Sequence, residues 1–186
     1  NRIFAKDGDS LYTRPFDEAK VEDPSLIIYA ALRQYENKLI VTNGDQTDTI
    51  YEHLEKGGTF EEALRTRQFE PDFPNMTPRI SGMITFGEDD FEYKISILKS
   101  GNREGTKSGR YTFEYESDPG LGHFIHTYQQ DGNPLPTFLG EPKRVDIPDD
   151  IDSFTEGLWE GLDGDNKISL YVRYTDIATG EYEDRL

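Results

Sequence analysis

The chain has 186 residues, carries 37 acidic against 20 basic side chains for a net charge of −17, and contains no cysteine. Its length suits one domain, residues 1–186, with a core able to fold alone. The charge argues against nucleic acid or an anionic membrane as partner, since neutralising phosphates takes clustered Lys and Arg, and the missing thiols exclude disulfides, thiolate nucleophiles and Cys-based zinc sites. A small anionic ligand stays compatible, because one or two local arginines can hold it inside a negative field. Eleven Tyr, eleven Phe and one Trp supply large buried surfaces and point to a globular chain. No apolar run approaches the roughly 18 residues of a membrane span. A soluble protein with a cytoplasmic address is expected, and since the chain opens at Asn1 without Met, so is a missing N-terminal segment.

In chain order, Asp23-Pro24 reads as a helix cap followed by proline at the first helical position. Ala31, Arg33 and Tyr35 then share one face of a strand, Glu36-Asn37 makes a tight turn, and Lys38 to Thr42 returns as the partner strand. "VTNGDQTDTI" (41–50) ends this hairpin and opens a helix with Thr47 or Asp48 as its cap and Ile50, Tyr51 and Leu54 on its apolar face. Asn43 is expected in a positive-φ turn with Gly44. Gly57-Gly58 stops that helix, and Thr59-x-x-Glu62 is a capping box for a second one carrying Phe60, Ala63 and Leu64. "FEPDFPNMTPRI" (69–80), with Pro71, Pro74 and Pro78, reads as a structured loop of fixed dihedrals.

From Ile80 onward, "ISGMITF", "FEYKISIL", "RYTFEYES" and "HFIHTYQ" read as strands, Phe138 to Pro148 as an extended crossing, and "KISLYVRY" as a final strand. Between the last two lies an amphipathic helix with Ile151, Phe154, Leu158 and Trp159 on one side, and "DGDNK" (163–167) reads as a hairpin turn. Helices covering sheet layers make the chain α+β, a layered sandwich.

Three stretches hold more polar chemistry than folding requires. Turn and cap duties account for Asn43, Gly44 and one of Thr47 or Asp48, leaving Asp45 and Gln46 beside a helix N-terminus. The proline-locked loop holds Glu70, Asp72, Asn75, Thr77 and Arg79. His123 and His126 lie three apart, so on a strand they face opposite sides and a shared metal is not expected; one should pack and the other face solvent or a site. The templates for phosphate loops, serine hydrolases and zinc peptidases are not matched.

Taken in order, "NGDQTDTI", then "FEPD…NMTPRI", then Thr127-Tyr128 resembles the archaeal-type IMP cyclohydrolase family, over residues 1 to about 140. The resemblance implies a four-layer αββα sandwich of two mainly antiparallel sheets flanked by helices, of the N-terminal-nucleophile-hydrolase type but without the nucleophile. It implies ring closure of formamido-AICAR ribotide to IMP with loss of water, with no cofactor or metal, on a purine ribonucleotide as the small-molecule partner; a homo-oligomer is allowed for. It places catalytic residues at Arg2 (in the Asn1-Arg2 pair), Tyr29 and Glu70. Tyr29 is expected to donate to the formyl oxygen, Glu70 to transfer the proton, and Arg2 to polarise the carbonyl or hold the phosphate. Asn43 and Asp45 are expected to face the base, carboxamide or ribose, and Arg79 or Arg33 to meet the 5′-phosphate. The alternatives are a non-cyclising nucleotide- or anion-binding relative of the same fold, or a non-catalytic acidic interaction module.

Overall fold

The computed structural model describes residues 2–17, 19 and 27–186. The expected helix start at Asp23-Pro24 and Asn1 of the Asn1-Arg2 pair lie outside the described residues. Seven strands form one sheet in simple sequence order: β1 (Arg2–Asp7), β2 (Ser10–Pro15), β3 (Ala30–Tyr35), β4 (Lys38–Thr42), β5 (Arg79–Phe86), β6 (Phe91–Ser100) and β7 (Ser108–Glu116). Every neighbour pair is antiparallel. The chain is therefore α+β around an antiparallel meander.

The strand periodicity of two decides what each face buries. On one face Ile40, Met83 and Leu98 meet Ile50 and Leu54 of α1 (Gln46–Glu55) and Phe60, Ala63 and Leu64 of α2 (Phe60–Arg65). On the other, Leu11, Tyr29, Ala31, Leu32 and Leu39 form a second cluster with Phe4, Ile84, Phe86 and Tyr171 packed against it. Tyr171 comes from the C-terminal part of the chain, which thus lies over this second face.

That C-terminal part consists of two ribbons and a helix. β8 (Leu121–Phe124) pairs with β9 (Lys143–Asp146), and β10 (Val172–Thr175) with β11 (Tyr182–Arg185). The helix α3 (Ile151–Gly161) packs against β10 and β11. No helix among the described residues is long and apolar enough to cross a membrane.

Local chemistry explains most of the boundaries. Helix α1 ends where Gly57 adopts φ +78° and its N–H reaches the Leu54 carbonyl at 2.9 Å. Helix α2 opens on the expected capping box: Glu62 N–H donates to Thr59 Oγ1 at 3.2 Å while Thr59 N–H donates to Glu62 Oε2 at 2.9 Å.

Several expectations are corrected. The N-cap of α1 is Asp45, in helical conformation and without a side-chain cap bond. Thr47 is fully buried and shares a hydrogen with Thr42 (Oγ1–Oγ1, 2.7 Å), and Asp48 accepts from Arg33. Asn43 is not among the positive-φ residues, which outside glycine are, among the described residues, Glu36 and Met76. "HFIHTYQ" is strand only through Phe124; Tyr128 forms one isolated bridge, with Thr137. The extended crossing becomes β9, and "DGDNK" joins α3 to the run before β10 rather than two strands. In α3 only Ile151 is buried, with Leu158 and Trp159 partly exposed.

Candidate active site

The meander puts the start of β1, the start of β3, the end of β4 and the start of β5 at one end of the sheet. Arg2, Tyr29, Asn43 and Arg79 gather there because each sits at, or next to, one of these strand ends. The two stretches with surplus polar chemistry, 43–48 and 69–79, meet there too.

Arg79 is the hub. Its side chain is nearly fully buried, and its Nη1 donates to Asp45 Oδ1 (2.6 Å) and Gln46 Oε1 (2.7 Å). It grips Glu70 with both nitrogens, Nη2 to Oε2 at 3.0 Å and Nη1 to Oε1 at 2.9 Å. Asp45 also pairs with Arg67. Gln46, wholly buried, completes the clamp by donating to Asn43 Oδ1 (3.0 Å) and the Ile80 carbonyl (3.2 Å).

Asn43 ties the turn to β5. It donates to the Pro78 carbonyl (2.9 Å) and accepts from Ile80 N–H (2.9 Å). With the Gln46 contact this occupies most of its amide, so its geometry is that of a strut. Gly44 is required by close approach, not by dihedral angle: a Cβ there would stand 2.6 Å from Gln46 Oε1, 2.7 Å from Arg79 Nη1 and 3.1 Å from Glu70 Oε1.

The loop carrying Glu70 is braced from within. Glu70 N–H donates to the Thr77 carbonyl (2.9 Å), and Asp72 Oδ1 accepts from Thr77 N–H (2.7 Å). Thr77 Oγ1 bonds to both Asp72 and the Tyr128 hydroxyl. Burial pushes the Glu70 carboxyl above the usual carboxylate range; the Arg79 charge opposes this, and Asp45 and Asp72 add to it.

Tyr29 is buried in the second cluster, its hydroxyl accepting from Arg2 Nη1 at 3.4 Å. Burial raises its hydroxyl pKa, with the Arg2 charge working against the rise, and it lies within electrostatic reach of Glu70 and Arg79. It therefore stays a protonated donor at neutral pH. Tyr29 and Asn43 line a cleft of about 1000 Å³ that runs along the second sheet face beneath β8. Inside it His123 stacks on Tyr115 with ring centres 3.6 Å apart, and its Nδ1 lies 2.5 Å from the Tyr93 hydroxyl. His126 instead packs between Phe124 and Phe138. One histidine thus lies in the cleft and one in packing, but β8 ends at Phe124, so strand alternation does not set the side of His126.

Thus Arg2, Tyr29, Asn43, Asp45, Glu70 and Arg79 are brought together. Arg33 is not: it pairs with Asp48 at 2.6 Å and stacks 3.5 Å over the Tyr51 ring, on the helix-covered face. Sequence reading passed over Gln46 as a clamp and Arg67 as a partner of Asp45; only the folding of α1 against β5 and of α2 beside the turn creates those contacts.

Comparison with known proteins identifies the family. The family model described as IMP cyclohydrolase-like protein matches residues 1–181. A protein named IMP cyclohydrolase from Methanopyrus kandleri is 36% identical over 90 residues, covering 47% of this chain and 44% of that protein. Another of the same name, from Methanothrix thermoacetophila, is 28% identical over 88 residues, covering 46% of this chain and 44% of its own length. The chain thus matches less than half the length of either relative. With nearly its whole length matched by the family model, the chain belongs to the IMP cyclohydrolase-like family.

Proposed function

We propose that this chain is an IMP cyclohydrolase, closing formamido-AICAR ribotide to IMP. The observation that carries the reading is the meeting, at one end of the sheet, of a buried tyrosine donor backed by Arg2 and a carboxyl held in an ion pair by Arg79, in a chain whose relatives bear that name.

The chemistry asks little beyond positioning and proton transfer. The carboxamide nitrogen and the formyl carbon lie in one molecule, so proximity is largely supplied by the substrate. Nitrogen attacks the formyl carbon, a C–N bond forms, and the carbonyl π pair moves onto oxygen. Tyr29 donates to that oxygen, and Arg2 beside it favours the developing charge. Glu70 accepts the proton leaving nitrogen. It then returns that proton to the new hydroxyl, which departs as water while the formamido nitrogen gives up its own proton to the Tyr29 oxygen, restoring the phenol, and the C=N bond forms. A carboxyl shifted upward by burial suits both halves of this exchange.

In this reading Asp45 and Arg79 hold Glu70 in place, and Asn43 fixes the turn against which the base and ribose lie. Of the two arginines expected at the 5′-phosphate, Arg33 is spent on Asp48 and Tyr51, and Arg79 commits its Nη atoms to Asp45, Gln46 and Glu70. The ligand is a purine ribonucleotide and the address cytoplasmic; self-association of copies is part of the same reading. The fold is read as an αββα sandwich. Support comes from α1 and α2 on one face of the meander, the β8–β9 and β10–β11 ribbons over the other, and α3 on the last of these.

An ultraviolet assay of IMP formation from formamido-AICAR ribotide with the full-length protein tests the reading. IMP appearing at a rate proportional to enzyme is expected. Tight IMP binding without formation would replace the enzyme by a nucleotide-binding relative.

A further inference from the structure

In a chain of net charge −17, one small cleft is walled by three arginines and no carboxylate. It encloses about 370 Å³ between Arg67, Arg79 and Arg110, with Thr66, Gln68, Phe69 and Pro71 completing the lining. The three come from separate elements. Arg67 follows α2, Arg79 opens β5, and Arg110 lies on β7 opposite Leu98, whose side chain belongs to the helix-side core.

Their donors are only partly used. Arg110 is exposed, gives one N–H to the Arg67 carbonyl at 2.7 Å, and among the described residues has no carboxylate partner. Arg67 reaches Asp45 and, at 3.3 Å, Thr49 Oγ1. Arg79 commits its Nη atoms to Asp45, Gln46 and Glu70, while its Nε is buried with no hydrogen-bond partner. Three guanidinium charges thus face two carboxylates, Asp45 and Glu70, both outside the cleft lining. The positive charge in excess, with Arg110 lacking a carboxylate of its own beside two paired arginines, is unfavourable, and a multivalent anion relieves it. The planar guanidinium fork suits phosphate oxygens in particular.

We infer that this cleft is a subsite for the dianionic phosphate of a phosphomonoester, with Arg110 and Arg67 as its donors. Arg79 forms the wall it shares with Glu70, so occupancy bears directly on the carboxyl assigned to proton transfer. Two sources fit the same chemistry. One is the 5′-phosphate of the nucleotide itself, which rests on the cyclohydrolase reading; the other is a separate phosphorylated ligand.

Calorimetric titration of the full-length protein with ribose 5-phosphate, inorganic phosphate, IMP and inosine tests the inference. Arg110→Gln is the main variant, and Arg110→Lys keeps the charge but loses the fork. Arg110→Gln should weaken ribose 5-phosphate binding by about tenfold or more, the loss of one charge-assisted contact. Inosine binding and the melting temperature should stay unchanged, and Arg110→Lys should fall between. Wild-type protein that binds neither ribose 5-phosphate nor inorganic phosphate, or equal affinities in wild type and Arg110→Gln, overturns the site. Inorganic phosphate that competes with IMP identifies the nucleotide's own phosphate, whereas phosphate bound alongside IMP identifies a separate ligand; both keep the subsite. Because these titrations need no turnover, a protein that forms no IMP yet loses ribose 5-phosphate binding in Arg110→Gln retains the subsite and loses only the proposed reaction.

Discussion

Arg79 holds both carboxylate oxygens of Glu70, at 2.9 and 3.0 Å, from a position in which only 8% of its own side chain is exposed. One hydrogen bond from Nη2 and the charge of Nη1 beside the other oxygen, this well covered, restrain the carboxyl and with it the direction in which a proton can be taken or given. The same Arg79 is held by Asp45 and Gln46, so the two surplus residues of the opening turn act on the chemistry through one guanidinium.

Glu70→Gln should therefore keep IMP affinity near wild type while lowering turnover by about 10²-fold or more. The amide can still accept from Arg79, so the fold should survive. Because burial raises the Glu70 carboxyl, the acid limb of the wild-type rate profile should lie above the ordinary Glu value of about 4.3. The folded-state pKa exceeds the unfolded one, so the stability from the protonated form is present below the unfolded value and lost as pH rises through the folded one. A Gln variant that retains the acid limb would assign it to another group.

Asp45 carries the opposite sign. Burial alone would raise its carboxyl, but the hydrogen bond and charge of Arg67 and those of Arg79 together hold it below the usual range. Its contribution is thus present above the unfolded value of about 3.9 and lost as pH falls through the folded one. In urea unfolding, Asp45→Asn should be less stable than wild type at neutral pH, and the gap should close as the pH falls below the ordinary carboxylate range. A gap that persists in acid would mean that Asp45 acts through packing rather than charge.

Gly44→Ala tests the close approach. The added methyl would overlap Gln46, Arg79 and Glu70 at 2.6 to 3.1 Å. Two of these atoms belong to a buried, mutually bonded set that cannot swing away without losing partners. A destabilisation of about 1–3 kcal/mol is expected, together with loss of turnover. Wild-type activity in Gly44→Ala would show that the Arg79 clamp is dispensable.

Much of this was legible in the residues. The β3–β4 hairpin, the α2 capping box and the stop at Gly57 follow from patterns within a few positions, where alternation and capping chemistry act locally. The gathering of Tyr29, Asn43, Glu70 and Arg79 was legible only through the family resemblance. Asp45 as N-cap was not, because Thr47 turns inward to Thr42, a contact made across the strand-to-helix corner. Nor could Arg110 be paired with Arg67 in advance, since that contact depends on the β6–β7 register, which sets Arg110 opposite Leu98. The short stretch after Phe124 reads as strand by composition, yet its backbone partners come from a proline-bearing loop, and pairing stops at one bridge.

Asn43→Ala separates strut from ligand contact. Its side chain joins the turn to Pro78, Ile80 and Gln46, so removal should cost about 1–3 kcal/mol through buried groups left unpaired. Asn43→Gly should lose the same bonds and gain nothing, because the backbone here is not left-handed. Chemical denaturation beside IMP titration reads both effects. Full stability with weakened IMP binding would return Asn43 to direct recognition.

Tyr29→Phe isolates the hydroxyl. The ring keeps its place in the second core cluster and its position under the Arg2 guanidinium, 5.6 Å from ring centre to Cζ, so stability should change by less than about 1 kcal/mol. The hydroxyl accepts from Arg2 at a long 3.4 Å, which leaves its own O–H free to turn toward a substrate oxygen. If Tyr29 donates where charge develops, turnover should fall by about 10²-fold with IMP affinity much less affected. If Arg2 works through that hydroxyl, Arg2→Gln in the Tyr29→Phe background should add little to the loss, whereas two independent contacts would multiply. Single-turnover rates of the two single variants and the double variant decide between these outcomes, and undiminished rates in Tyr29→Phe would remove the hydroxyl from the reaction.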